Sequence, residues 1–254
     1  MRKIIYIGGN GNLATYIENN TNHIVSKRDK ASPYYLDLNN INESKLIEVE
    51  NCLFVLGAAI SEPTKCENDP DLCRTINQIK TAELIDLLLL KNKVLFLSSD
   101  LVFEGNNMSV PNYEETKTNP IHLYSKYKVS IEEKFINNSN FFIARLSYIL
   151  FKKNSFTKYL NTCIINKNIP EIIHPLSRHA TSPEAIVQYI EVLAKEDSHL
   201  PKIKHIAGKA LSRLEMYFNW CKNNNVQSEY KTIDISQTPM KEYPDYINFE
   251  SIYN

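Results

Sequence analysis

The chain has no surplus of either charge: Lys+Arg and Asp+Glu number 29 each in 254 residues, so the formal net charge is zero. Binding to nucleic acid or to an anionic membrane draws on clustered positive charge, and the balance argues against both as general partners. Cysteine is also sparse, with Cys52, Cys66, Cys73, Cys163 and Cys221. The count is odd, no pair is spaced Cys-x-x-Cys, and no histidine stands at ligand spacing from a pair. Neither a disulfide framework nor a metal site is therefore expected, and free thiols in a reducing cytoplasm follow. No apolar run approaches the length of a bilayer span; the richest, residues 84–90, carries Asp86. Arg2-Lys3 followed by Ile4-Ile5-Tyr6-Ile7 imitates a signal peptide, but the run stops at Gly8-Gly9-Asn10 with no cleavage site behind it. With 43% apolar and 23% charged residues, the composition is that of a soluble globular chain, and the cytoplasm is the expected compartment.

Apolar runs and helical spacings alternate from the first residue. Residues 3–7, 23–26, 52–56, 94–97 and 141–145 read as short buried strands. Between them, residues 12–18 open a helix, and a long one starts at Asp69 as N-cap with Pro70 at its first position. Its apolar residues Leu72, Ile76, Ile79, Leu84, Leu87 and Leu88 space out helically, and a further helix runs over residues 121–135. Such alternation predicts α/β architecture, a Rossmann-type doubly wound parallel sheet that binds ligands at the carboxyl ends of its strands. The rhythm weakens after residue 148. Helices at residues 156–165, 182–194 and 211–222, joined through Pro170, Pro175 and Pro201, precede a tyrosine-rich, irregular tail. The expected domains are a dinucleotide-binding unit over residues 1–148, with a return segment near 176–200, and a small C-terminal α/β substrate domain made mainly of residues 149–254.

Gly8-Gly9-Asn10-Gly11-Asn12-Leu13-Ala14 lies between the first strand and the first helix, where a dinucleotide's pyrophosphate is held. Gly8 permits the tight turn, Gly11 lets backbone approach the phosphates, and the helix N-terminus at Asn12 and Leu13 supplies oriented N–H groups. Cofactor choice is read after the second strand, where a carboxylate suits NAD and a cation suits the 2′-phosphate of NADP. Here Ser26-Lys27-Arg28-Asp29 puts Lys27 and Arg28 first, which favours NADPH; Asp29 keeps NAD open.

Tyr-x-x-x-Lys occurs at Tyr113/Lys117, Tyr124/Lys128 and Tyr148/Lys152, in a chain with 15 tyrosines. Only Tyr124 and Lys128 fall just inside a predicted helix, following Asn119-Pro120, so that both project from one face. An acid–base tyrosine beside an ammonium matches that geometry, because a nearby cation favours the phenolate. Ser99, at the end of the fourth strand in Leu97-Ser98-Ser99-Asp100, offers a hydroxyl to a substrate oxygen on which charge develops.

These residues resemble the extended short-chain dehydrogenases/reductases, and within them the nucleotide-sugar 4-ketoreductases of the dTDP-4-dehydrorhamnose reductase type. The carriers are the glycine turn, Asp37-Leu38, and Ala58-Ala59-Ile60-Ser61 followed by Cys66-Glu67 and Asn77. They continue through Ser98-Ser99-Asp100-Leu101-Val102-Phe103-Glu104-Gly105, then Pro120 leading to Tyr124-Ser125-Lys126-Tyr127-Lys128, Glu132-Glu133 and Arg145. The resemblance implies Ser99, Tyr124 and Lys128 as the catalytic set, Asp37 and Leu38 beside the adenine, and Ala58 and Ala59 along the cofactor cleft. It implies substrate contacts at Ser61, Ser99, Asp100 and Tyr148. Arg178 suits the substrate diphosphate, since a guanidinium pairs bidentately with phosphate. The implied reaction is reduction of the 4-keto group of a nucleotide-linked 4-keto-6-deoxy sugar by NADPH, in polysaccharide or glycoconjugate biosynthesis; a homodimer is compatible with it.

The chain departs from the pattern at Leu101 and Tyr148, where the family has Tyr and Trp, and in lacking a recognisable Arg-Pro signature over residues 240–254. No metal is implied, because Thr15 stands where some members place an acidic magnesium ligand. Dehydration, which needs paired Asp-Glu carboxylates after the catalytic hydroxyl, is disfavoured by Asp100-Leu101. Two alternatives stay open: a nucleotide-sugar epimerase, and a non-catalytic NADP-binding protein of this fold like the methionine adenosyltransferase regulatory subunit. His174 and His179 are read as structural or solvated, Arg145 as a structural strand-end residue, and Trp220 as core.

Overall fold

Five of the six strands of the main sheet follow from the apolar runs, and the sheet is parallel throughout. In the computed structural model, which describes residues 1–253 except 106–108, 196–199, 228, 239 and 242, β1 (Lys3–Ile7) leads into α1 (Asn12–Asn20) and β2 (Ile24–Val25). Next come β3 (Cys52–Leu56), α2 (Pro63–Asn68), α3 (Pro70–Arg74), a π-helical stretch (Thr75–Lys80), α4 (Thr81–Leu88) and β4 (Lys93–Ser99). After α5 (Leu123–Phe135) and β5 (Phe141–Leu146) the chain forms β6 (Tyr148–Ile149), α6 (Ser155–Ile165), β7 (Glu171–Ile173), β8 (Ser177–Thr181) and α7 (Pro183–Lys195). It ends with β9 (Ile203–Ile206), β10 (Ala210–Ser212), α8 (Arg213–Asn224) and β11 (Lys231–Ile233).

The main sheet has the order β2-β1-β3-β4-β5-β9. Alternate side chains enter two separate cores. Ile4, Tyr6, Leu53, Val55, Leu95 and Leu97 pack with α1 and α7 on one face. Ile5, Ile7, Phe54, Leu56, Val94 and Phe96 pack with α4 and α5 on the other. Burial on both faces accounts for runs that are apolar without alternation. A second layer comprises the sheet β10-β8-β6 and the pair β11-β7; Leu160, Ile172, Tyr217 and Trp220 form a small core between α6, β7 and α8. Trp220 is thus a core residue, as its spacing suggested.

Three local expectations change. The long helix does begin at Asp69, whose carboxylate accepts the Leu72 N–H at 3.1 Å, but it loosens into π geometry over Thr75–Lys80. The helix expected from residue 121 starts at Leu123, where the carboxylate of Glu67, carried on α2, accepts the Leu123 N–H at 2.9 Å. Free thiols are contradicted at two positions: Cys66 and Cys73 form a disulfide joining α2 to α3. The sequence hides this pair, because only the chain reversal at Asp69-Pro70 brings the two Cα atoms to 5.1 Å; Cys52, Cys163 and Cys221 are free.

The irregular tail packs deeply. Ile247 and Phe249 are fully buried, and Phe249 stacks on His205 with ring centroids 4.1 Å apart. Glu114 pins the tail to β9, accepting from His205 N at 2.9 Å, Ser251 Oγ at 2.5 Å and Ile252 N at 3.0 Å. Beneath it, Arg145 on β5 donates from Nη2 to Glu132 Oε2 on α5 at 2.6 Å, with side-chain exposures of 4% and 5%. Arg145 is therefore structural, and the pair sets how α5 lies on the sheet. Removing one member of a buried ion pair strands the other charge. Glu132→Gln is expected to lose about 3–5 kcal/mol in urea denaturation; a loss below about 1 kcal/mol would show that α5 is held by its apolar face alone.

Candidate active site

The glycine turn sits at the carboxyl end of β1. Gly8 has φ +143°, a conformation that side chains rarely adopt and glycine takes at no cost. Gly11 is the N-cap of α1, and a Cβ built on it would meet nothing nearer than the Gly8 carbonyl at 3.6 Å. Its bare face opens onto a cleft of about 490 Å³ lined by the turn, Ser26-Lys27-Arg28, Asp37-Leu38, Gly57-Ala58-Ala59 and Ser61. A concave backbone cradle at a helix N-terminus, with cations at the far rim, fits a phosphate-containing dinucleotide.

The expected cofactor residues divide within this cleft. Gly8, Gly11, Asp37, Leu38, Ala58 and Ala59 line it. Leu13 is buried in the core against α7 and Asn12 is exposed at the helix start, so their side chains lie outside the lining. Asp37 turns its carboxylate to the Asn39 N–H at 3.0 Å. Lys27 is ion-paired with Glu18 on α1, whereas Arg28 is exposed at the cleft wall. Ser61, expected on the substrate side, lines this cleft too. Composition alone does not reveal that Leu72 and Ile76 complete the wall, nor that Asn77 bonds both the N–H and C=O of Ile60 at 2.8 and 3.0 Å.

Beyond the cleft, Ser99, Tyr124 and Lys128 come together at the end of β4 and the first turns of α5. All three are buried. Lys128 Nζ donates to the Leu97 carbonyl at 2.8 Å and stands 5.7 Å from the centre of the Tyr124 ring. Burial lowers the Lys128 pKa to about 8, with Glu132 pulling the other way. Burial also pushes the Tyr124 phenol up, as does the Asp100 charge, while the Ser99 hydroxyl interacts with the phenol and opposes the rise. Ser99 Oγ donates to Asp100 Oδ1 at 3.2 Å and accepts from Leu101 N at 3.2 Å. The other Tyr-x-x-x-Lys pairs fall outside this arrangement: Tyr113 lies on an irregular segment and Tyr148 on β6.

The second layer brings further groups near this cluster. The Tyr148 hydroxyl is buried without a hydrogen-bond partner among the described residues. Arg178, on β8, spends two N–H groups on the carbonyls of Ser177 at 2.8 Å and Pro244 at 2.6 Å. It nevertheless lies close enough to Asp100 and Arg213 to feel both charges. Two residues went unnoticed in the sequence. Arg213 places its guanidinium 5.1 Å from the Tyr148 ring centre and 4.6 Å from that of Phe156. Tyr243, from the tail, stacks on His122 at 4.4 Å and faces Tyr124 and Arg178 electrostatically. Neither bears a local motif; only the fold brings residues this far apart in sequence near one another. His179 is structural, its Nδ1 bonded to the Gly208 carbonyl at 2.9 Å.

Among the described residues no helix is long and apolar enough to cross a membrane. The chain is similar in structure to a dTDP-4-dehydrorhamnose reductase from Bacillus anthracis str. Ames in complex with NADP. The TM-score is 0.82 at 21% identity, over 98% of this chain and 89% of that one. A dTDP-4-dehydrorhamnose reductase from Yersinia enterocolitica gives a TM-score of 0.80 at 21% identity, over 100% of this chain and 91% of that one. At these identities the likeness establishes the fold, the Rossmann-type α/β architecture expected from the strand–helix rhythm. In sequence, the chain is 27% identical over 148 residues to methionine adenosyltransferase 2 subunit beta of Bos taurus, a match covering 54% of this chain and 44% of that protein. The matched region thus spans less than half of that relative. The model of the RmlD substrate binding domain family matches residues 1–247, and the chain belongs to that family.

Proposed function

We propose that the protein is an NADPH-dependent reductase of the 4-keto group of a nucleotide-linked 4-keto-6-deoxy sugar, acting in the cytoplasm in polysaccharide or glycoconjugate biosynthesis. The observation that carries this reading is the convergence of Ser99, Tyr124 and Lys128 in one buried cluster beside a cleft shaped for a dinucleotide. Residues 1–148, with α7 and β9, are assigned to the cofactor half and the remainder mainly to the substrate half.

In this reading Gly8, Gly11 and the α1 N-terminus hold the pyrophosphate, Asp37 and Leu38 flank the adenine, and Ala58 and Ala59 line the path between. The bound cofactor supplies the hydride. The protein's own residues supply the proton and the electrostatics. Tyr124, kept protonated by burial and by Asp100, gives its proton to the keto oxygen as charge grows there. Ser99 donates to the same oxygen. Lys128, with the Leu97 carbonyl fixing its ammonium, stabilises the phenolate left behind. Arg178 and Arg213 are two cations of the second layer that fit the substrate's diphosphate, and the Tyr148 ring, beside the Arg213 guanidinium, is assigned to the sugar side. The likeness to the methionine adenosyltransferase subunit favours a second reading, an NADP-binding regulatory protein. The assembled Ser99/Tyr124/Lys128 cluster, which binding alone does not need, ranks it below catalysis.

Tyr124→Phe is expected to lower kcat on the order of 100- to 10,000-fold, the contribution of a general acid, while NADPH binding stays within a few-fold. NADPH oxidation on a panel of nucleotide 4-keto-6-deoxy sugars, with fluorescence titration of NADPH, reads both numbers; retained turnover removes Tyr124 as the acid. If no sugar turns over but NADPH binds, the regulatory reading stands instead. Cofactor choice has its own test. Because Glu18 holds the Lys27 ammonium, Arg28→Ala should weaken NADPH about tenfold, the worth of a charge-assisted hydrogen bond. It should leave NADH nearly unchanged, and Lys27→Ala should do less. Equal losses for both cofactors would remove Arg28 from the 2′-phosphate.

A further inference from the structure

The Cys66–Cys73 disulfide closes the reversal at Asp69-Pro70, and neither of its side chains is accessible. It touches the site from two directions. Cys66 and Cys73 share one buried cluster with Tyr124, edged by Ile60, Leu123 and Tyr127. Asn77, on the π-helical stretch, places Nδ2 3.2 Å from Cys73 Sγ and 3.7 Å from Cys66 Sγ. The same side chain holds the N–H and the carbonyl of Ile60, and Ile60 and Ser61 line the cofactor cleft. Glu67, the residue after Cys66, accepts the N–H of Leu123 at the start of α5. One covalent link therefore stands between the turn after β3 and the helix that carries Tyr124.

We propose that the Cys66–Cys73 pair is a redox switch of this site: the disulfide holds the cleft wall and the start of α5 in place, and its reduction to two thiols loosens both. The inference rests on the reading of the cleft as a cytoplasmic NADPH site. In a reducing cytoplasm a disulfide is usually transient, and its common uses there are catalysis and redox sensing. The layer above the pair is thin, because every residue from 65 to 74 other than the two cysteines is exposed. The helices carrying it have six and five residues, too few to persist without packing, so local opening admits a reductant.

The exchange balances. A dithiol gives up two electrons and two protons and closes its own disulfide; the Cys66–Cys73 bond breaks, and each sulfur takes one proton. Two thiols need more room than a bonded pair, so α2 and α3 part. One of the new protons has an acceptor at hand. Cys66 Sγ stands 3.5 Å from the Ile60 carbonyl oxygen, to which a thiol donates weakly and a disulfide sulfur cannot. That carbonyl is the one Asn77 holds, so the new donor acts on the cleft wall directly.

The test uses the full-length protein, with dithiothreitol as the dithiol. The folded protein is treated, quenched in acid, unfolded and alkylated; three thiols are expected before treatment and five after it. Hydrogen exchange read by mass spectrometry should then be faster at residues 57–61 and in the first turn of α5, where the Ile60 and Leu123 N–H groups report the Asn77 and Glu67 bonds, with β5 unchanged. NADPH affinity, from fluorescence titration, should fall about tenfold, a common size of coupling between sites. Oxidised glutathione should reverse both changes. Cys73→Ser should behave as the reduced form with or without dithiothreitol, and Cys66→Ser gives the same reading where the first variant folds poorly. The proposal is overturned by a disulfide that dithiothreitol reaches only after unfolding, by a reduced protein with unchanged exchange or unchanged NADPH affinity, or by a Cys73→Ser variant that still responds. If NADPH binds neither form, the cofactor reading fails, and the exchange rates alone decide the switch.

Discussion

A parallel sheet that is buried on both faces leaves its strand ends as the only place where backbone groups and side chains can meet a ligand. This constraint organises the molecule. Because α1 and α7 cover one face and α4 and α5 the other, the carboxyl ends of β1, β3 and β4 are brought together beside one cleft. The glycine turn follows β1, Gly57-Ala58-Ala59 follows β3, and Ser99-Asp100 closes β4. The first two stretches share the wall of that cleft, and the third carries the Ser99 end of the neighbouring buried cluster.

The chemistry adds a demand that apolar packing does not meet, for it places charges inside. Lys128, Glu132 and Arg145 are all nearly inaccessible, and isolated burial of any of them is costly. Each is answered locally: Lys128 by the Leu97 carbonyl, and Glu132 and Arg145 by one another. Tyr124 and Lys128 sit one turn apart on α5, and Glu132 one turn further along the same helix. The ion pair to β5 therefore fixes the rotation of the helix that carries the candidate proton donor. Glu67, bonded to the first N–H of α5, fixes its start. Support for the site thus comes from two elements, α2 and β5, that themselves contribute none of its acid–base groups.

Much of this was legible in the sequence, for physical reasons that differ by element. β1 and β3 were readable to the residue because double burial leaves unbroken apolar runs. The glycine turn was readable because its backbone conformation and open face admit almost nothing else. Tyr124 and Lys128 were separable from two competing pairs because only a helix puts positions four apart on one face. What stayed hidden depends on long-range closure. β9 is short and half-buried, so its apolar signal is weak, and it joins the sheet only because the second layer returns the chain to β5. α2 is six residues long, too brief for periodicity to speak, and with it went both the Cys66–Cys73 pairing and the Glu67 contact. Tyr243 and Arg213 carry no motif at all.

The tail shows why a divergent end need not be a loosened one. It lacks an Arg-Pro signature and regular structure over most of its length, yet Ile247 and Phe249 are as inaccessible as any strand residue. Its polar atoms are met by Glu114, His205 and Arg178, which belong to other elements. Arg178 joins the two ends of this arrangement, since the guanidinium that holds the Pro244 carbonyl also faces Asp100. Tyr243, one residue earlier, lies against His122 at the entrance to α5. The last residues are thus held by the same Arg178 that faces Asp100, while Ser99, Tyr124 and Lys128 stay on β4 and α5. Under the proposed reading, the proton donor and the groups offered to substrate are therefore carried by different parts of the sequence.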